Sequence, residues 1–137
     1  MADKIQLEVV TPDRLVTSEA VDIVMAMGAL GEFGILANHI PFLTPLQPGE
    51  LRFRKDNQLE HMVVTGGFAE VSNNKVTILA EAAEKAKEID LDRARRAKER
   101  AEKRLAQAKS EAVDYVRAEA ALKRALLRLN IAEKTSR

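Results

Sequence analysis

Arg117, Arg124 and Arg128 recur at spacings of seven and four, so a helix would set all three on one face. A guanidinium carries five N–H donors in a rigid fork, which suits the paired oxygens of a phosphate or a carboxylate. These arginines belong to a basic arm. Residues 89–137 hold 14 Lys/Arg against 8 Asp/Glu, a net of +6, whereas residues 1–88 hold 8 against 13, a net of −5. A basic arm on an acidic body implies an anionic partner: nucleic acid, nucleotide, a membrane surface or an acidic protein face. A solvated helix face would use the same residues.

Other chemistries find few candidates. Without cysteine there is no disulfide, thiol nucleophile or thiolate metal site, and a reducing compartment fits. His39 and His61 are 22 residues apart with no carboxylate pattern between them, which argues against zinc. No Gly-x-x-x-x-Gly-Lys-Ser/Thr phosphate loop is present, so nucleotide hydrolysis is not expected, and no histidine–carboxylate constellation or cofactor fingerprint marks an enzyme. Nucleic-acid binding would suit the basic arm, but Glu99, Glu102, Glu111, Asp114 and Glu119 interrupt it, and Tyr115 is its only aromatic residue. A generic protein-interaction arm is the remaining alternative. The arm has neither Trp nor Phe, which argues against membrane insertion. Asp3 and Lys4 follow Met1 at once, so neither a signal peptide nor a membrane span is expected.

The elements that would carry these residues divide sharply. Every glycine and every proline precedes residue 68. Lys4 to Val10 alternates, with Ile5, Leu7 and Val9 on one face of a half-buried strand. Thr11-Pro12-Asp13 reads as a turn, and Arg14–Val16 and Ala20–Met27 as further strands. Gly28 to Gly34 reads as a glycine loop. Pro41, Pro45 and Pro48-Gly49 punctuate a winding connection. Glu50–Lys55 and Leu59–Thr65 pair across Asp56-Asn57. Gly66-Gly67 marks a bulge or corner, and Phe68–Ser72 and Lys75–Ala80 form a hairpin about Asn73-Asn74. Eight or more short strands predict an all-β sandwich over residues 1–88.

From residue 89 to residue 137 the period becomes helical. Asp90 can cap a helix, with Asp92 in its first turn. Leu91, Ala94, Ala97, Ala101, Leu105 and Ala108 form a thin stripe. Tyr115, Ala118, Leu122, Ala125 and Leu129 form a fuller one, flanked by Val113, Val116, Ala120, Leu127 and Ile131. An antiparallel hairpin would fit small residues of one helix against larger ones of the other, with a turn near Lys109-Ser110-Glu111 and Ser110 as a cap. Nothing there forces a turn, and one continuous helix of about 42 residues would run roughly 63 Å. The fold class is therefore α+β in two parts, a β-sandwich followed by a two-helix arm that folds back or extends.

At several separated places the chain resembles the epsilon subunit family of bacterial F-type ATP synthases. The first is Gly31-Glu32-Phe33-Gly34-Ile35-Leu36, followed by His39, Pro41 and Leu43-Thr44. The second is Val64-Thr65-Gly66-Gly67-Phe68 with Glu70-Val71, followed by Val76-Thr77-Ile78-Leu79-Ala80. Asp90 to Ala94 and Ala120-Ala121-Leu122-Lys123-Arg124-Ala125 complete the order, so the resemblance spans nearly the whole chain. Asn38 stands where the family often has glycine, and asparagine adopts the same left-handed backbone.

The resemblance implies an antiparallel sandwich of two five-stranded sheets and a helical hairpin. It implies a non-catalytic rotor part of the central stalk, held against the gamma subunit and the c-ring, peripheral at the cytoplasmic face of the bacterial plasma membrane. An extended arm would reach the alpha and beta subunits of the catalytic head and inhibit ATP hydrolysis. Glu32 would offer a carboxylate to polar loops of the c-ring, with His39 in the same surface; an ordinary loop acid and a hydrogen bond at a strand start are the plainer readings. Ile89-Asp90-Leu91-Asp92-Arg93-Ala94 fits the motif through which some members bind ATP, and Glu84 matches a further contact. ATP would then be a regulatory ligand held by Glu84, Ile89, Asp90, Arg93, Ala94, Arg124 and Arg128, with no obligatory cofactor. In the competing reading Arg93 pairs with Asp90 or Glu84, and Arg117, Arg124 and Arg128 meet an acidic loop of the beta subunit. The two are compatible, one for each state of the arm.

Overall fold

The structure, a computed structural model, describes residues 3–107 and 112–135. The chain divides into two compact units, Met1–Lys85 and Ala86–Arg137. The division falls slightly before residue 88 because the 3₁₀ turn Ala86–Glu88 packs with the second helix.

The first unit is built from ten strands: β1 Ile5–Val10, β2 Leu15–Val21, β3 Ile23–Gly28, β4 Gly31–Leu36, β5 Phe42–Leu46, β6 Gly49–Lys55, β7 Gln58–Val64, β8 Gly67–Ser72, β9 Lys75–Ala80 and β10 Ala83–Lys85. They follow the order β10-β7-β6-β3-β5-β8-β9-β1-β2, with β4 also on β3. The β3–β5 junction is the single pair Gly28↔Leu46. Either side of it lies a group of five strands, β10-β7-β6-β3-β4 and β5-β8-β9-β1-β2, which are the two sheets of the sandwich. All pairs are antiparallel except β1 and β9, which run parallel from Gln6↔Lys75 to Val10↔Leu79.

Alternation explains the core. Ile5, Leu7 and Val9 are fully buried on β1, and Val76 and Ile78 answer them on β9. Val24, Ile35, Leu51, Phe53 and Met62 complete the facing layer. Side chains of this size contribute about 1.5–3 kcal/mol each when removed from water. The tight turns use asparagine and aspartate in the left-handed region: Asp56 and Asn57 at φ 51° and 68°, Asn73 and Asn74 at 52° and 58°. Asn38 is left-handed too, at φ 63°.

Three local expectations change. Gly28 to Gly34 is no loop: β3 and β4 form a hairpin closed by Ala29-Leu30, and Gly31 supplies the positive φ of 128° that this closure needs. Between Pro41 and Pro48 the chain forms β5 rather than a winding connection. Proline is tolerated there because the Pro45 carbonyl accepts from Ala29 N–H at 3.0 Å, so its nitrogen turns toward the side of β5 with almost no ladder. The second and third strands meet at Asp22, whose N–H donates to Arg54 O at 2.8 Å.

The second unit holds α1, Leu91–Gln107, and α2, Ala112–Thr135, packed on each other. Since α2 also packs against the 3₁₀ turn that precedes α1, the helices run antiparallel. Asp90 caps α1 as expected: its Oδ1 accepts from the Arg93 N–H at 3.1 Å. Such a cap contributes about 1 kcal/mol. Lys109-Ser110-Glu111, Ala108 and the side chains of Val113 and Asp114 lie outside the described residues.

Packing differs from the expected small-against-large fit. Ala94 and Ala101 are buried on α1, and Ala118, Ala125 and Ala132 on α2, each set at heptad spacing, with Ile131 fully buried beside the last of them. Ala101 and Ala118 each lie six residues from the facing ends Gln107 and Ala112, and Ala94 and Ala125 each lie thirteen. The alanines are therefore level across the pair. Tyr115 and Val116 stay 48% and 63% exposed, while Leu122 and Leu129 are half-buried. Alanine lets the helices approach closely but buries only about 0.8 kcal/mol of methyl group each.

Gly67 generates a prediction. At φ 117°, a Cβ would lie 1.9 Å from the Leu79 carbonyl oxygen. Gly67→Ala should cost about 3 kcal/mol in urea denaturation. Gly31→Ala, where a Cβ meets nothing within 4 Å, should cost about 1 kcal/mol of backbone strain.

Candidate functional site

The surface of the first unit carries one feature that alternation alone does not require. On the outer face of the second sheet, Pro45 pairs with Phe68, Phe68 with Leu79, Leu79 with Val10, and Val10 with Leu15. Five apolar residues thus form one straight row across five strands. Leu15, Phe68 and Leu79 are 56%, 52% and 50% exposed, so the row is surface and not core. A contiguous apolar strip on a solvated sheet marks a docking surface.

The row continues around Pro45 into an open groove of about 420 Å³ between the β3–β4 turn and β5, lined by Leu30, Glu32, Phe33, Phe42 and Leu43 among others. Phe33 packs its ring 5.5 Å from Phe42, and His39 meets Phe42 edge-on at 6.0 Å. The His39 N–H donates to Leu36 O at 3.2 Å, and its ring Nδ1 donates to Ile40 O at 2.7 Å. This bond requires the proton on Nδ1 and leaves Nε2 as the acceptor of the neutral ring. The left-handed Asn38 beside it is tied by its N–H to Asn74 Oδ1 at 2.7 Å.

Glu32 stands opposite Met27 at the turn end of β4, whereas His39 follows the other end of that strand with its N–H on Leu36 O, so the two come to different ends of the sheet. Glu32 lies on the outer face of the first sheet and is ion-paired with Arg52. Arg52 Nε also lies 3.2 Å from Glu50 Oε1, and Glu50 Oε2 lies 3.4 Å from His61 Nδ1. The expected bare carboxylate is therefore one end of a charged chain. Among the described residues no cluster of His, Asp or Glu could hold a metal.

In the second unit the arginines follow the alanine seam. Arg93-Ala94, Arg100-Ala101, Arg117-Ala118 and Arg124-Ala125 repeat one dipeptide at heptad spacing on both helices. Each arginine lies one residue before a buried alanine, about 100° around the helix. The two-fold relation of antiparallel helices is normal to the plane of the pair, so equivalent positions fall on one side. Arg93 stands near the level of Arg124, and Arg100 near that of Arg117, about 10 Å along the axis. All four are exposed, and none forms an ion pair among the described residues. The printed pairs of the helices, Arg95–Asp92 at 3.6 Å, Lys98–Glu102 at 3.8 Å and Lys123–Glu119 at 3.3 Å, use other residues.

Of the residues expected at a nucleotide site, Ile89 and Ala94 are buried, Arg93 and Arg124 are exposed, and Arg128 lies one turn beyond Arg124. The contact from Arg93 to Asp90 is through its backbone N–H, not its guanidinium. Glu84 stands on β10 opposite Val63, in the other unit. Arg100 was not singled out from the sequence; the heptad repeat of Arg-Ala is the signal that finds it. Likewise the run Ile78-Leu79-Ala80, apolar on both faces, signals the outer row.

The chain thus combines a β-sandwich that exposes an apolar row with a helix pair that sets four arginines to one side. Residues 4–86 match the family described as ATP synthase, Delta/Epsilon chain, beta-sandwich domain, and residues 87–133 its long alpha-helix domain. An ATP synthase epsilon chain of Nitratidesulfovibrio vulgaris (strain Hildenborough) is 58% identical over 131 residues, covering 96% of this chain and 97% of that one. The epsilon chain of Syntrophobacter fumaroxidans is 56% identical over 135 residues, covering 98% and 100%. A chain of the Euglena gracilis mitochondrial ATP synthase shares the fold, with TM-score 0.76 at 24% identity over 99% of this chain and 82% of that one. The chain belongs to the delta/epsilon chain family of ATP synthases, as a subunit without chemistry of its own.

Proposed function

We propose that the chain works as the central-stalk epsilon subunit, docking its β unit on the gamma subunit and the c-ring and regulating ATP hydrolysis with its helical arm. The observation that carries this is the exposed row Pro45–Phe68–Leu79–Val10–Leu15. Aqueous exposure of so regular a strip is unfavourable, and a rotor shaft is a partner long enough to cover it. The groove beside Glu32 continues the row and, with His39 on the segment that follows β4, is the face offered to polar c-ring loops. In this reading the subunit sits peripherally at the cytoplasmic face of the membrane; no helix among the described residues is long and apolar enough to cross one.

The arm's role follows from its seam. Alanine methyls hold the helices close at little gain per contact, so a competing partner needs only modest affinity to open them. Extended, the arm presents Arg117, Arg124 and Arg128 to the alpha and beta subunits and inhibits hydrolysis. Folded, it sets Arg93, Arg100, Arg117 and Arg124 on one side, where triphosphate oxygens relieve their mutual repulsion. ATP bound there, with Asp90 as an acceptor for its amino or hydroxyl groups, favours the folded state by mass action. The nucleic-acid reading is less favoured, since the Lys98–Glu102 and Lys123–Glu119 pairs divide the basic surface.

Two outcomes are expected. Phe68→Asp and Leu79→Asp should each weaken association with the gamma subunit at least about tenfold while leaving the denaturation midpoint unchanged; wild-type association in both would remove the row from the interface. Calorimetric titration of the full chain should show ATP binding in preference to ADP, weakened about tenfold in Arg124→Ala. No heat at millimolar ATP would leave the arginines to the catalytic head.

A further inference from the structure

Three charged residues and a histidine span four adjacent strands on the outer face of the first sheet: Glu32 on β4, Arg52 and Glu50 on β6, and His61 on β7. Arg52 lies opposite Met25 of β3 and His61 of β7, so its guanidinium reaches over β3 to pair with Glu32. Its Nε is fixed from behind by Glu50 at 3.2 Å. Glu50 in turn lies 3.4 Å from His61 Nδ1. Exposure is greatest at the Glu32 end: its side chain is 50% exposed and that of Arg52 30%, against 16% for Glu50 and 18% for His61. The inner end is therefore anchored and the outer end offered to solvent.

A free glutamate on a surface hairpin samples many rotamers and loses that freedom on binding, at a cost of about 1–2 kcal/mol. Glu32 does not start from that freedom. One of its oxygens is held by Arg52, and the other remains to accept. A bare acid would attract any cation, whereas a carboxylate neutralised on one side prefers a hydrogen-bond donor that fits beside the guanidinium.

We propose that Arg52 is a positioning residue for docking: it fixes Glu32 in its binding rotamer. Together the two present an acceptor flanked by a donor, suited to a polar partner loop that itself supplies a donor beside a carbonyl. This rests on the reading of Glu32 as a rotor contact. Arg52 itself need not touch the partner, because its work is done on Glu32.

The test uses the full chain in complex with the gamma subunit and measures its affinity for the isolated c-ring. Glu32→Gln and Arg52→Gln should each lower that affinity about tenfold. The double variant should be no worse than either single one, and Arg52→Lys should recover most of the loss. Association with the gamma subunit and the denaturation midpoint should stay as in the wild type. Additive losses, or Arg52→Gln binding as the wild type while Glu32→Gln is impaired, would overturn the proposal. If Glu32→Gln has no effect, the docking role of Glu32 fails, and the positioning is judged in the free chain. There, slowed guanidinium rotation of Arg52, seen as resolved Nη resonances, should be lost in Glu32→Gln. Averaged resonances in the wild type would overturn the positioning itself.

Discussion

Helices that meet through alanine can lie very close and yet bind weakly, and the second unit is organised around that fact. Its seam of Ala94, Ala101, Ala118, Ala125 and Ala132 carries methyl groups in place of large side chains over most of its length, and Ile131 is fully buried near one end. The close approach brings the arginine preceding each of the first four alanines to one side of the pair. Asp92, Glu102 and Glu119 pair with Arg95, Lys98 and Lys123 and not with these four arginines. In the proposed reading the state of this unit is decided by what binds it, an anion favouring the folded pair and an acidic protein surface competing for the same guanidinium groups.

The first unit obeys the opposite constraint. Its interior is filled by Phe53, Met62, Ile5, Leu7, Ile35 and their neighbours, all fully or nearly fully buried, and its corners depend on left-handed backbone that glycine, asparagine and aspartate accept most readily. Such a body holds its shape, which a docking surface needs. Rigidity turns a cross-strand register into a straight apolar row, and it gives Arg52 a fixed base from which to hold Glu32. In the proposed reading one chain thus combines a rigid half for attachment with a half for response.

Much of this was legible in residue order. Alternation in Lys4–Val10 and the paired asparagines at 73 and 74 located their strands, and Asp90 located the start of α1. Glycine density misled between Gly28 and Gly34, since a hairpin and a loop make the same local demand. Pro45 likewise concealed β5, because a proline fits a strand only where one side lacks a ladder, and neighbours distant in sequence decide that. The parallel β1–β9 pair joins residues about seventy positions apart in the chain, so neither it nor the apolar row could be read locally. Glu32 was legible as a candidate, but its partner Arg52 lies twenty positions away across an intervening strand.

The central claim is that attachment belongs to the β unit and regulation to the helices. The most direct measurement reconstitutes the ATP synthase with a chain ending at Ile89 and compares gamma-subunit association and ATP hydrolysis with the full chain. The account predicts association within about twofold of the full chain and a rise in hydrolysis. Loss of association, or hydrolysis unchanged with association intact, would contradict it.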